Sequence, residues 1–579
     1  MSGTFTSLPQ NFFMLTRHYL YFSVLFLLIA CGTDNTDSSQ GSLLVYDANI
    51  WAGRDEPSAS AMLVDAEGKI VALASDTTGW ADRLSEQTKR VDAKGAFLMP
   101  GFIEGHGHFS GLGSSLRNLN FLRSRSWDEI VAMVAERAEE TPEGDWIDGR
   151  GWHQEKWDKP HDHSIGGYPI HDELSAMTQD NPVILRHASG HALFANNKAM
   201  ELAGVSRETP DPRGGRILRD DLGDPTGVFE ERAMDLITDA YQNFVQTMTP
   251  EARKEEWLAG IRAAQEECLS KGITSFQDAG TKFREVDWYK ELDAADSLRL
   301  SLWVMLRHSY EEMEGNMQGL PHYGDRFECS AIKTELDGAL GSYGAWLLEP
   351  YFDNPGFTGQ NTTEVATVDS IARLALKHNM QLCVHAIGDR ANHETLDLMA
   401  RYVDTTDDRR WRIEHAQHVA VDDIPRFAEL GVIAAMQGIH CTSDALFAET
   451  RLGTERARNE AYPWRSLLDA GAVVTNGTDA PVEDVDPIES FYASVTRARA
   501  DGKAVFFAEQ SMTREEALHS YTAAAAYSAF QEDERGTLAP GMQADFVLLS
   551  KDLINCDDSE ILDTEVLGTY VAGRAEYSR

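Results

Sequence analysis

Ala96-Phe97-Leu98-Met99-Pro100-Gly101-Phe102-Ile103-Glu104-Gly105-His106-Gly107-His108 is the stretch on which the reading of this chain turns. An apolar run, 96–99, reads as a short strand; it breaks at Pro100-Gly101 and resumes into a His-Gly-His triplet. In extended chain, residues two apart point to the same side, so His106 and His108 can present two imidazoles to one point. Imidazole is the commonest protein ligand for zinc and similar divalent ions. A lone His-x-His also occurs on ordinary surfaces, so its weight depends on what the later strands supply.

Outward from this stretch the chain alternates between strand and helix patterns. Candidate strands are 97–99, 274–277, 301–306, 331–336, 381–385, 411–415, 432–436 and 472–476, with amphipathic helices between several of them. The helix over 251–271 carries Trp257, Ile261, Ala264, Cys268 and Leu269 on one stripe and has Pro250 in its first turn after Thr249. Eight strands with helical crossovers predict an α/β chain folded as a (β/α)8 TIM barrel, whose sites gather at the strand C-termini. A doubly wound open sheet is the alternative, but no Gly-x-Gly-x-x-Gly follows a strand. The region from about 115 to 225 is too long for one crossover and reads as an insertion over the barrel mouth.

The strand ends then sort by chemistry. The first carries His106 and His108; the fourth places Lys333 and Glu335 on one face; the fifth ends at His385, the sixth at His415, and the eighth runs into Asn476-Gly477-Thr478-Asp479-Ala480-Pro481. Each residue alone has an ordinary reading: a satisfied core histidine, a solvated lysine, an aspartate shaping a turn. Those readings leave the recurrence unexplained, because histidines and a closing carboxylate would converge on one mouth. The predicted centre therefore holds a divalent metal, zinc first.

The two ends of the chain are β-rich and predict one small β-sandwich, from 43–96 and 536–579, flanking a barrel domain over 97–535. Residues 1–30 read as a signal peptide, since the apolar run of about a dozen residues is shorter than the roughly twenty a membrane span needs. Leu28-Ile29-Ala30-Cys31-Gly32 resembles a bacterial lipoprotein box, with Cys31 the acylated residue and 31–42 a polar tether. An uncleaved signal anchor or a misplaced start is the other reading. Gly32 in place of an aspartate favours outer-membrane attachment on the periplasmic side, with membrane contact only through the lipid. The net charge of −41 argues against nucleic acid as a partner. The remaining cysteines are scattered without Cys-x-x-Cys spacing and indicate neither disulfides nor a cysteine zinc site. Oligomeric state is not legible.

Six ordered motifs carry a family resemblance: Met99-Pro100-Gly101-Phe102-Ile103-Glu104-Gly105-His106-Gly107-His108; Lys333-Thr334-Glu335-Leu336-Asp337-Gly338-Ala339-Leu340-Gly341-Ser342; Val384-His385-Ala386-Ile387-Gly388-Asp389; Arg412-Ile413-Glu414-His415-Ala416-Gln417; Gly477-Thr478-Asp479-Ala480-Pro481; and Gly536-Thr537-Leu538-Ala539-Pro540-Gly541-Met542-Gln543-Ala544-Asp545-Phe546. With them the chain resembles the amidohydrolase superfamily, in its exoenzyme-like and N-substituted formamide deformylase-like branch. One departure is Gly105, where an aspartate often precedes the first histidine. The resemblance implies that His106 and His108 bind the more buried ion and His385 and His415 a second, with Asp479 as ligand and acid/base. It implies that Lys333, carbamylated, can bridge two ions, leaving one or two metals open. Segments around His153 and His191 resemble regions near the substrate pocket, with His191 the candidate for a carbonyl or leaving-group contact. The expected activity is metal-dependent hydrolysis of a non-peptide carbon–nitrogen bond in a small amide, N-substituted formamide or cyclic amide. A dipeptide or N-acyl amino acid hydrolase, and a non-catalytic metal- or ligand-binding lipoprotein, are the alternatives.

Overall fold

The computed structural model describes residues 41–154, 157–188, 190, 192–212, 215–403 and 408–579. Residues 1–30, read from the sequence as a signal peptide, Cys31, read as the acylated residue, and His191, the candidate substrate contact, lie outside the described residues. Among the described residues no helix is long and apolar enough to cross a membrane.

Eight parallel strands form the central barrel: β1 Phe102–Gly107, β2 Ile273–Thr281, β3 Ser301–Leu306, β4 Phe327–Glu335, β5 Gln381–Ala386, β6 Arg412–His415, β7 Ile433–Gln437 and β8 Val474–Gly477. They pair in chain order, β1 through β8. Their alternation sorts side chains as a barrel requires. On β3, Leu302, Val304 and Leu306 join the outer core, whereas Trp303 and Met305 pack with Ala279, Ala331 and Cys383 in a separate inner cluster. The helix Pro250–Ser270 that covers β2 begins where its sequence says, with Thr249 capping the Ala252 N–H at 3.1 Å and Pro250 in the first turn.

The seam between β1 and β8 lies beside the histidines. The Asp479 N–H donates to the His106 carbonyl (2.8 Å) and the His108 N–H to the Ala480 carbonyl (2.6 Å). Two glycines let the strands come this close: a Cβ at Gly105 would stand 2.4 Å from the Asn476 carbonyl oxygen, and one at Gly477 2.6 Å from the His106 nitrogen. Glu104, fully buried, rivets the same seam by accepting from the Thr478 N–H at 2.6 Å and its hydroxyl at 3.1 Å. Burial is the main reason its pKa is pushed up to about 8.

One element departs from the sequence expectation. The run 97–99, expected to open the barrel, belongs to the small domain. As the strand Phe97–Pro100 it pairs antiparallel with Phe546–Leu549 and parallel with Asn49–Ile50, and the barrel starts only after Gly101. Both apolar runs flanking Pro100-Gly101 are buried, and burial alone does not say in which sheet a strand lies. The five-stranded sheet containing Phe97–Pro100 shares one apolar core with a four-stranded sheet built from residues before 93. Leu43, Val45 and Met62 of one sheet and Leu98, Phe546 and Leu548 of the other belong to that core.

The insertion folds as a six-stranded sheet of its own. In spatial order its strands are Gly215–Arg219, Pro225–Glu231, Ala192–Ala195, Val183–His187, Ile147–Trp152 and Leu119–Asn120, so it runs past 225 to the helix Met234–Thr247.

Candidate metal centre

His106 lies near the end of β1 and His108 just beyond it, with ring centroids 5.8 Å apart. His415 ends β6, its ring 4.7 Å from that of His106 and 4.5 Å from that of His385, which comes from β5. Asp479 follows β8, with Oδ1 3.1 Å from His108 Nε2 and 3.5 Å from His106 Nε2. His106, His415 and Asp479 each offer a ligand atom within 4.8 Å of the others. His385 stands beside His415, and Lys333, fully buried on β4, feels the charges of Asp479 and Glu414. The structure thus gathers all six sequence-derived metal residues at the C-terminal mouth.

Backbone geometry helps to aim them. Adjacent strand residues point to opposite faces, so Glu414 and His415 would diverge. His415 instead adopts φ 74° and Asp479 φ 58°, both in the left-handed region that non-glycine residues seldom occupy. Such strain persists where the surroundings over-determine it.

A shell of oriented partners stands behind the ligands. His106 Nδ1 contacts Glu414 Oε2, and Glu414 is gripped by Arg412, Nε to Oε1 at 2.7 Å and Nη2 to Oε2 at 3.1 Å. Both Arg412 and Glu414 are completely buried. Arg412 also donates to the Gly105 carbonyl at 2.7 Å and to Gln277 at 2.5 Å, crossing the barrel interior. Burial opposes ionisation of Glu414, but Arg412 and His106 hold its carboxyl well below the usual range. On the far side, His415 Nδ1 meets Gln437 Oε1 at 2.7 Å, and the amide is oriented by donating to the Ala435 carbonyl at 3.0 Å. A carbonyl acceptor at Nδ1 places the proton there and leaves Nε2 with its lone pair, the arrangement typical of metal-bound imidazole.

Sequence reading singled out none of Glu414, Arg412, Gln437 or Glu104 as site residues. Glu414 orients His106, and Gly105 is required at its position by the seam. His440, whose role the sequence left open, places Nε2 3.9 Å from Asp479 Oδ2, its ring stacked on His415 with centroids 6.2 Å apart.

The chemistry of the donor set fits a divalent cation. His106 Nε2, His385 Nε2, His440 Nε2 and Asp479 Oδ1 are buried and have no hydrogen-bond partner among the described residues. Orphaned buried polar atoms are costly, and His106 Nε2 and Asp479 Oδ1, 3.5 Å apart with His415 within ligand reach, call for a ligand. His385 Nε2 lies 3.6 Å from Asp337 Oδ1 and His440 Nε2 3.9 Å from Asp479 Oδ2. Burial, reinforced by Lys333, pushes the His106 imidazole down to about 4. Burial also pushes those of His385 and His415 well below their ordinary range, so their lone pairs stay free. Burial opposes the ionisation of Asp479, yet contact with His108 and the nearby His106 and His415 hold it well below the usual carboxylate range. Neutral nitrogens around an anionic oxygen are what a hard-to-borderline cation binds.

A (β/α)8 barrel with this ligand set at its mouth defines a metal-dependent hydrolase. The chain belongs to the Amidohydrolase family, whose profile matches residues 89–577. It is similar to the Protein LONG AFTER FAR-RED 3 of Arabidopsis thaliana, at 30% identity over 92% of this chain and 91% of that protein. It is also similar to the N-substituted formamide deformylase of Arthrobacter pascens, at 26% identity over 93% of this chain and 98% of that protein. Among solved structures, an uncharacterized metal-dependent hydrolase from Pyrococcus horikoshii superposes with a TM-score of 0.71 at 25% identity, over 89% of this chain and 99% of the other.

Proposed function

We propose that this chain hydrolyses a non-peptide carbon–nitrogen bond, in an amide, an N-substituted formamide or a cyclic amide. The observation that carries the reading is Asp479 Oδ1, a buried carboxylate oxygen 3.1 Å from His108 Nε2 and 3.5 Å from His106 Nε2, grouped with His106 and His415 within ligand reach of one ion. The residues that would hold the ion are His106, His108, His385, His415 and Asp479, with Lys333 joining them if carbamylated. Burial favours the neutral amine of Lys333, the form that reacts with carbon dioxide. What a divalent ion supplies here is acidification of water towards neutral pH and polarisation of a carbonyl. Asp479 accepts a proton from the attacking water and returns it to the leaving nitrogen. The water oxygen bonds to the carbonyl carbon, the carbon–nitrogen bond breaks, and an acid and an amine result. Similarity to a formamide deformylase supports an amide-type substrate. The Leu28–Gly32 box supports a periplasmic enzyme tethered through Cys31.

The test is to load the protein lacking residues 1–30 with Zn²⁺ or Mn²⁺ and assay amides, N-substituted formamides and cyclic amides against Asp479→Asn. Turnover that falls at least about 100-fold in the variant is expected for loss of an acid/base group. Metal uptake with no Asp479-dependent turnover on any substrate would overturn the reading in favour of a binding protein.

A further inference from the structure

His440 lies in the short helix Gly438–Ser443, which leaves the barrel directly after β7. The start of this helix is fastened to β8 and to the helix Pro487–Thr496. The Gly438 N–H donates to Asn476 Oδ1 at 2.8 Å, the Asn476 amide to Ser494 Oγ at 2.9 Å, and the Ile439 N–H to Ser490 Oγ at 3.1 Å. Gly438 packs so closely that a Cβ there would stand 2.3 Å from Ser494 Oγ and 2.6 Å from the Ser490 carbonyl oxygen. Asn476 leads within three residues to Asp479, and Gln437, which orients His415, immediately precedes Gly438. The backbone of His440 is therefore held in register with two members of the metal centre.

Its ring lies nearly parallel to that of His415, with 21° between the planes. The His440 side chain is 11% exposed against 1% for His106, so it stands nearer the opening. Asp479 divides its two oxygens between these neighbours. Oδ1 is 3.1 Å from His108 Nε2 and 3.5 Å from His106 Nε2, whereas His440 Nε2 is 3.9 Å from Oδ2. That separation is longer than a hydrogen bond and shorter than the roughly 5–6 Å that two hydrogen bonds in line through a water would span. An atom to one side of the line can lie about 3 Å from both groups, as a reacting atom requires. A carboxylate oxygen opposite a ring nitrogen favours the tautomer with the proton on that nitrogen, so Nε2 is the donor of the neutral ring.

We propose that His440 is a catalytic residue that donates from its Nε2–H to the carbonyl oxygen of the bound amide, a contact that tightens as that oxygen becomes negative. This rests on the hydrolase reading above and adds a residue to it. When the water oxygen bonds to the carbonyl carbon, one water proton passes to Asp479 and the π pair moves onto the carbonyl oxygen. The pair then returns, the carbon–nitrogen bond breaks, and Asp479 gives its proton to the leaving nitrogen. His440 keeps its own proton throughout. Held by a fastened helix, it is aimed at the developing charge before the charge appears, and such a donor costs no reorganisation during the step.

The test compares wild type with His440→Phe, which keeps a stacked ring without a donor, and His440→Gln, which returns an N–H. Each is loaded with Zn²⁺ and assayed on the amide that wild type turns over best and on the matching thioamide, whose sulfur is a poorer acceptor. His440→Phe should lower kcat on the amide about 100- to 1000-fold, the usual cost of one such donor, with KM nearly unchanged. His440→Gln should recover part of the loss, and the loss should shrink on the thioamide. Metal per chain should equal that of wild type. Calorimetric affinity for methylphosphonate, whose anionic tetrahedral oxygens stand in for the intermediate, should fall about 10- to 100-fold in His440→Phe. A kcat or methylphosphonate affinity retained in His440→Phe, or an equal loss on amide and thioamide, overturns the proposal and leaves the hydrolase reading standing. Metal lost from the variants also overturns it, because His440 would then be a ligand. Wild type inert on every amide would overturn the hydrolase reading and this proposal with it.

Discussion

Glu414 orients His106 from the opposite side of the barrel. Its carboxylate, held by Arg412, meets His106 Nδ1 and so directs Nε2 towards Asp479. Carboxylate–histidine–metal relays of this kind raise ligand basicity and lock the tautomer.

Replacing Glu414 with Gln is expected to weaken metal affinity about 10- to 100-fold, the usual cost of losing such a partner. It also leaves Arg412 buried without its countercharge, a loss on the order of 3–5 kcal/mol. Chelator competition and urea unfolding read the two effects separately. Unaltered metal affinity in a folded variant would refute the orienting role.

Gly105→Ala tests the seam. With an Asn476 oxygen 2.4 Å from the new Cβ, β1 and β8 must part. Overpacking of this kind costs about 1–3 kcal/mol, and the shift falls one residue from His106. A lowered Tm together with weakened metal binding is expected; a normal Tm would show that the seam yields freely.

Removing the metal should destabilise the protein, because the ion binds the folded state only. At a free metal concentration about a thousandfold above Kd the difference is about 4 kcal/mol. Calorimetric unfolding with and without chelator measures it, and metal content per chain in Lys333→Ala counts the ions that depend on that lysine. Unchanged stoichiometry and activity would exclude a bridging Lys333.

Acid should destabilise the metal-free form over a defined range. His106 has its pKa depressed to about 4 from an ordinary 6.5, so the folded state refuses a proton that the unfolded state accepts. Stability is full above about 6.5 and falls as pH drops towards 4, by roughly 3 kcal/mol from this residue. His385 and His415 act with the same sign. Urea midpoints from pH 4 to 8, in chelator, should fall less steeply for His106→Asn than for wild type. Equal slopes would show that His106 is not the titrating group.

Much of the architecture was legible without coordinates. Alternation of strand and helix patterns located seven of the eight barrel strands, and histidines at their ends marked the mouth, because side-chain type and period are local properties. The exception, 97–99, failed because two buried apolar runs on either side of Pro100-Gly101 look alike to any periodicity.

The sequence by itself determined the candidate ligands: His106, His108, His385, His415 and Asp479 stand out by residue type and position, and Lys333 by the family resemblance. Only the tertiary structure decided how these ligands are held and what faces them. Glu414 lies 308 residues from His106, and the left-handed turn at His415 reverses the direction that strand alternation assigns to its ring. Periodicity reports that a face is buried. Which group meets it there is set by packing between segments remote in the chain.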